Sequence, residues 1–137
     1  EKAAASRARA HDWSLTPEAR QVGVEVRSVE RHAWWGELGG YRFMLSPLGT
    51  GIQRAATVEA LLVLTIPIVD RGPYPVANDL LGLGFPLAVV DRWEEVTRER
   101  LADWWQKLAP RLAGFRRRCL TSEGYWRLFT GQVAVCE

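Results

Sequence analysis

The chain has 137 residues, of which 47% are hydrophobic and 25% are charged, and this balance excludes an intrinsically disordered protein. A single domain of this length buries about two-thirds of its unfolded surface, so folding requires neither a metal nor a disulfide. The formal net charge of +2 is too small to indicate nucleic-acid binding by itself, although 16 of the 18 basic residues are arginine.

We predict one domain over residues 1–137 and begin with its amino-terminal end. Residues 1–12 are rich in alanine and have no other apolar stripe, so we expect a helical segment that docks weakly or frays. Thr16 and Pro17 have the N-cap and first-turn chemistry of a short helix.

Two segments with alternating apolar residues indicate β-strands. One runs from Val22 to Val26 and the other from Tyr41 to Leu45, and both have one apolar and one polar face. Gly39 and Gly40 lie between them and supply the positive φ that a hairpin connection needs. We therefore predict an antiparallel hairpin.

The middle of the chain combines a breaker-rich loop with the longest apolar run. Gly49-Thr50-Gly51 lacks the lysine and the strand-to-helix context of a phosphate-binding loop, so it is interpreted as a turn. Residues 60–69 are too few to span a membrane. Their β-branched residues favour a buried strand from Leu61 to Ile66, with a helix throughout as the alternative.

The second half of the chain is dominated by a long amphipathic pattern. A short helical segment opens at Asn78 and stops at Gly82 or Gly84. Asp91 and Glu94 then form a variant capping box, and apolar residues recur at helical spacing as far as Cys119. Pro110 lies inside this pattern, so we expect a kink or break there and a second short helix.

The carboxyl-terminal segments "EGYWRLF" and "QVAVC" indicate a terminal hairpin or edge strand. Strands and helices do not alternate as βαβ units do in this interpretation. The predicted fold is therefore α+β, with an antiparallel sheet of about four to five strands. The long helix, kinked near Pro110, is expected to cover one face of that sheet.

No catalytic, metal or cofactor motif is found. The histidines, His11 and His32, lie in no metal pattern and beside no nucleophile motif. Cys119 and Cys136 have no metal-ligand spacing, and we expect them to be reduced in a cytoplasmic protein. We predict no catalytic residue, no metal and no cofactor, and we favour a role other than catalysis.

Seven tryptophans suggest a surface for a macromolecular partner. If Trp34 and Trp35 are in extended backbone, their side chains point to opposite faces of the sheet, and one of them remains outside the core. Tryptophan and arginine are enriched among the residues that dominate binding energy at interfaces. The predicted contact residues for a protein partner or a second copy of the chain are Trp34, Trp35, Trp105, Arg31 and Arg42.

Two alternatives remain open. Arg111, Arg116, Arg117 and Arg118 place four positive charges on residues 110–118, so they could bind phosphates of a nucleic acid while a tryptophan stacks on an unpaired base. The third hypothesis is a small-molecule pocket or an enzyme, with a cleft between hairpin and helix and His32 as the titrating group.

Overall fold

The computed structural model of the protein describes residues 1–49 and 54–137, and over these ranges it contains seven helices and three strands. The helices are α1 (Lys2–Ser14), α2 (Pro17–Gln21), α3 (Trp34–Gly39), α4 (Ala55–Leu62), α5 (Val76–Gly82), α6 (Arg98–Cys119) and α7 (Ser122–Phe129). The strands are β1 (Phe43–Ser46), β2 (Ile66–Asp70) and β3 (Ala88–Val90), and short 3₁₀ helices cover Arg31–Ala33 and Trp93–Glu95.

The protein is α+β, but its sheet is parallel. The strand order is β1-β2-β3, with Phe43 opposite Ile66 and Ile68 opposite Ala88. Parallel neighbours need a crossover connection, and α4 and α5 supply the two that are required. The predicted antiparallel sheet of four to five strands is therefore wrong.

The predicted hairpin is wrong because its first strand and its turn have other structures. Residues 22–30 form neither helix nor strand. Gly39 is the last residue of α3 and Gly40 follows it as the C-cap, so the glycine pair ends a helix and does not turn a hairpin. β1 pairs with β2, which lies about twenty residues further along the chain.

The buried strand of the middle region begins later than we predicted. α4 extends to Leu62, and Leu64 then adopts a left-handed conformation with φ 63°. β2 follows as Ile66–Asp70, and each of its residues is buried. A strand covered on both faces has no alternating pattern, so its apolar run resembles that of the buried helix before it.

The sheet separates two hydrophobic cores, because successive residues of a strand point to opposite faces. Val69 contributes to the first core, and Ile68 and Val90 to the second. The first core also contains buried residues of α4, α5, α6 and α7: Leu61, Ala77, Leu80, Leu112, Phe115, Cys119 and Leu128. The second core contains Ala10 and Trp13 of α1, Ala19 of α2, and Trp93 and Val96.

The long helix is present, but it differs from the prediction at its first residue and at Pro110. It begins after Thr97, whose side chain accepts a hydrogen bond from the Arg100 amide, and the predicted capping box at Asp91 is absent from it. α6 continues through the exposed Pro110 to Cys119 without a second helix. Its amino-terminal half packs on the second core and its other half on the first, so packing on both sides of Pro110 holds one helix together.

The carboxyl-terminal segments are also not strands. "EGYWRLF" lies within α7, which Thr121 caps by accepting a hydrogen bond from the Gly124 amide. The last residues return to the loop before β3, where the Cys136 amide donates to the Leu83 carbonyl at 2.9 Å. Cys136 is joined to Cys119 by a disulfide, so the prediction of reduced cysteines is wrong.

Helix α1 is fixed to the carboxyl end of the sheet by Ser6. The Ser6 hydroxyl is fully buried; it donates to Asp70 Oδ2 at 2.8 Å and accepts from the Leu48 amide at 3.0 Å. The other carboxylate oxygen, Asp70 Oδ1, is buried and has no hydrogen-bond partner among the described residues. Ser6 therefore connects α1 to the ends of β1 and β2.

We expect Ser6→Ala to lower the free energy of unfolding by about 2 kcal/mol, because it leaves the Asp70 carboxylate without a hydroxyl donor. The matched control is Ser14→Ala, since Ser14 is also buried but donates only to the nearby His11 carbonyl. Urea denaturation of both variants measures the difference. Equal losses for the two variants would contradict the importance of this contact.

No helix in residues 1–49 and 54–137 combines the length and the apolar character needed to cross a bilayer.

Candidate anion-binding site

A cavity of about 520 Å³ lies beside β1, which is an edge strand of the sheet. We call it the β1 cavity. Its walls come mainly from one face of α1, residues 22–27 and 29, α3, β1 and the residue before α4, and they are mostly apolar. This volume is within the usual range of small-molecule sites, which are apolar with a few convergent polar groups.

The topology explains why a cavity forms at this strand. α1 packs on the second core and α4 packs on the first, so the two helices lie on opposite faces of the sheet. Both reach the carboxyl end of β1, where Leu45 and Pro47 line the cavity.

Helix α1 contributes a polar wall through its periodicity. Arg7, His11 and Ser14 are four and three residues apart, so they share one face of the helix, and all three line the cavity. Trp13 and Ala10 are buried in the second core and fix the rotation of the helix. The Arg7 side chain is thereby directed toward the cavity.

Arg54 provides the second positive charge. It is the N-cap residue of α4, it is half-buried, and it lines the same cavity as Arg7. Burial lowers the pKa of Arg54, the charge of Arg7 lowers it further, and the Glu59 carboxylate acts in the opposite direction. Burial and the Arg7 charge therefore disfavour a charge that an arginine nevertheless retains.

Neither arginine lies within ion-pair distance of a carboxylate in the part of the chain that the structure describes, although the Glu59 carboxylate acts on Arg54 from further away. In the described chain, Arg7 and Arg54 form no ion pair, and residues 50–53 include no acidic side chain. Among the described residues, the Arg54 guanidinium donates only a long hydrogen bond, of 3.4 Å, to the Pro47 carbonyl. No side chain of the described residues caps α4, whose amino end adds positive potential beside Arg54.

Another part of the cavity lining carries a polar network that we call the Tyr41 network. The Tyr41 hydroxyl donates to Glu25 Oε2 at 2.6 Å and accepts from Arg27 Nη1 at 3.1 Å. The same Arg27 nitrogen lies 3.0 Å from Glu37 Oε2. The hydrogen bond with Tyr41, followed by the Glu37 carboxylate, raises the pKa of Arg27. This wall is therefore internally paired, unlike the wall with Arg7 and Arg54.

The predicted tryptophan and arginine patch is divided among several contacts. Trp34 and Trp35 begin α3, so they are not in extended backbone. Trp34 Nε1 donates a hydrogen bond to Glu59 Oε2 at 2.8 Å. The side chain of Trp35 is 48% exposed. The Arg42 guanidinium lies 4.8 Å from the centroid of the Trp105 ring, and that ring also packs edge-on against Phe43. Arg31 is exposed in the 3₁₀ helix.

Three of the four arginines predicted to bind phosphate donate to backbone carbonyls. Arg111 donates to Gly84 at 2.7 Å and Arg116 to Leu62 at 3.1 Å, and Arg118 donates to Glu137. Arg117 is exposed and makes no hydrogen bond or ion pair in the described chain. These arginines thus contact three different segments of the protein.

The sequence patterns did not predict the positively charged residues of the β1 cavity. Arg7, His11 and Arg54 are not among the predicted site residues. The predicted contact residue Trp34 lines the cavity, whereas the exposed His32 does not. A usable signal was the order of strand, glycine-rich loop, arginine and helix, which is typical of an anion site in a parallel sheet. The predicted turn at Gly49-Thr50-Gly51 lies largely outside the described residues.

No family model, curated protein or solved structure matches this chain.

Proposed function

We propose that this chain binds a small anionic ligand in the β1 cavity, with the anionic group between Arg7 and Arg54. One observation carries the proposal: two arginines face a single cavity beside β1, and neither forms an ion pair with a carboxylate of the described residues. A phosphate or carboxylate group would accept charge-assisted hydrogen bonds from both. The apolar walls would cover the rest of the ligand.

This proposal develops the small-molecule hypothesis but assigns different residues to it. Removing one charged donor from a buried anion costs about 1.5–3 kcal/mol, or roughly 10- to 150-fold in affinity. We therefore expect Arg7→Gln and Arg54→Gln each to weaken the binding of pyrophosphate by at least about tenfold. Isothermal titration with pyrophosphate and with phosphate measures the effect.

The matched control is Arg117→Gln, because Arg117 is exposed and makes no contact in the described chain. We expect its affinity for pyrophosphate to equal that of the wild type. If Arg117→Gln weakened binding as much as Arg54→Gln, the anion would be attracted by general positive charge. Absence of any pyrophosphate or phosphate binding to the wild-type protein would also contradict the proposal.

Arg54→Gln also tests whether Arg54 is needed for ligand binding and not for the stability of the fold. The variant removes a desolvated charge that Arg7 repels, so we expect the unliganded protein to be at least as stable as the wild type. Thermal unfolding without ligand tests this expectation. A large loss of stability would show instead that Arg54 holds the fold together.

A macromolecular partner remains a prediction, and the half-exposed Trp35 is the observation that favours it. Its test is capture of a partner by the wild type but not by a Trp35→Ala variant.

Nucleic-acid binding through Arg117 also remains a prediction, and a steep fall of oligonucleotide affinity with salt is its expected signature.

The disulfide bears on the compartment in which the protein acts. We predicted a cytoplasmic location, but disulfides persist mainly in oxidising compartments. We therefore favour an oxidising compartment over the cytoplasm.

A further inference from the structure

We propose that residues 25–29 form a lid that opens and closes over the β1 cavity, and that the Tyr41 network holds this lid closed. The role of the lid in ligand access rests on the function proposed above. The opening itself is a property of the unliganded protein, so the two proposals can fail separately.

The backbone of the lid is held only at its two ends. On one side the Val24 amide donates to the Ala19 carbonyl at 3.0 Å, and on the other the Ala33 amide donates to Glu30 at 3.0 Å. Between these points, residues 25–29 make no backbone hydrogen bond with any described residue. Segments with few such bonds open at low free energy.

The residues immediately before the lid are fixed to the rest of the protein. Arg98 donates two hydrogen bonds to the Gln21 carbonyl, at 3.0 and 2.7 Å, and Val22 and Val24 pack against the second core. Gly23 lies between the two valines with φ +90°, a conformation that favours glycine. Motion of the lid therefore begins after Val24.

The middle of the lid is held by exposed side chains. Glu25 and Arg27 contact Tyr41, and Arg27 contacts Glu37, while Val26 between them is 54% exposed. Val29 is half-buried and lines the cavity. Exposed polar contacts of this kind change an equilibrium by only about two- to fivefold each. They are weak enough for the lid to open at equilibrium.

Tyr41 is the residue that controls the lid, because one hydroxyl contacts both Glu25 and Arg27. Tyr41→Phe removes these two hydrogen bonds and keeps the aromatic ring. We expect the opening equilibrium to increase by about 3- to 10-fold in this variant.

The rate of thiol labelling measures the opening. Both native cysteines are in the disulfide, so Val29→Cys introduces the one free thiol of the described chain, on a residue of the lid that lines the cavity. Without reductant, we expect the Val29→Cys thiol to react with a disulfide reagent more slowly than the thiol of the control variant Val26→Cys. Adding Tyr41→Phe should accelerate the reaction at position 29 about 3- to 10-fold and leave position 26 unchanged.

A second control is Tyr74→Phe, which alters an exposed tyrosine that does not line the β1 cavity and should not affect labelling. The lid is contradicted if the thiol at position 29 reacts as fast as the one at position 26, or if Tyr41→Phe leaves its rate unchanged. Pyrophosphate should slow labelling at position 29. If Tyr41→Phe accelerates labelling but pyrophosphate has no effect, the lid is supported and the proposed ligand is not.

Discussion

Replacing Trp13 by alanine is expected to lower the free energy of unfolding by about 3–5 kcal/mol, the usual cost of removing a large aromatic side chain from a core. Trp13 is only 6% exposed and packs in the second core, where it joins α1 to the sheet. The total stability of a domain is about 5–15 kcal/mol, so this loss is a large fraction of it. Because α1 carries Arg7, the variant should also bind pyrophosphate more weakly.

The control for Trp13→Ala is Trp35→Ala, which removes the same side chain from a position that is 48% exposed. We expect it to cost about 1 kcal/mol or less, since surface substitutions have small effects. Urea denaturation with comparison of midpoints and slopes measures both variants. Similar losses at the two positions, or a loss of less than about 1 kcal/mol for Trp13→Ala, would show that α1 is not part of the core.

Breaking the disulfide by Cys136→Ser is expected to lower the free energy of unfolding by about 3 kcal/mol, because the cross-link spans 17 residues and limits the unfolded chain. Cys136 is the better site for the substitution. It is partly exposed, whereas Cys119 is fully buried and its thiol can remain in the first core as a small apolar group.

The disulfide also holds the carboxyl-terminal residues against the loop before β3. Gly84 lies there with φ +95°, and a Cβ at this position would come within 2.2 Å of the Cys136 carbonyl oxygen.

Thermal unfolding with and without a reductant tests the expected loss of stability in Cys136→Ser. The reductant should destabilise the wild type to the level of Cys136→Ser and leave that variant unchanged. Equal stability of the variant and the oxidised wild type would contradict a structural disulfide.

Local signals in the sequence predicted helices better than strands. The Thr16 cap is confirmed by α2, the stop at Gly82 by α5, and the periodic pattern over Arg98–Cys119 by α6, although no second helix begins at Pro110. These features depend on neighbouring residues, so one segment is enough to show them. The alternation from Val22 to Val26 did not produce a strand, because no described strand pairs with that segment.

The parallel sheet could not be derived from the same patterns. β3 has only three residues and was not predicted, and β2 lacks alternation because both its faces are covered. Because β3 was not predicted and β2 was placed too early in the chain, α4 and α5 could not be interpreted as crossovers, and the remaining pattern favoured an antiparallel sheet. Pairing between distant segments therefore decided the fold.

The candidate site depends on the same distant pairing. The spacing of Arg7, His11 and Ser14 is visible in the sequence, but the wall that this helix face meets is not. Arg54 comes close to Arg7 only because α1 and α4 meet from opposite faces at the end of β1. Tryptophan content indicated Trp34, which lines the same cavity, but it gave no signal for Arg7 or Arg54.

The central claim is that the β1 cavity binds an anion between Arg7 and Arg54, and a crystal structure of the protein grown with pyrophosphate tests it most directly. We predict electron density for the anion within hydrogen-bond distance of both guanidinium groups, inside the cavity. Density only beside Arg116, Arg117 or Arg118, or an empty cavity at saturating pyrophosphate, would contradict the claim.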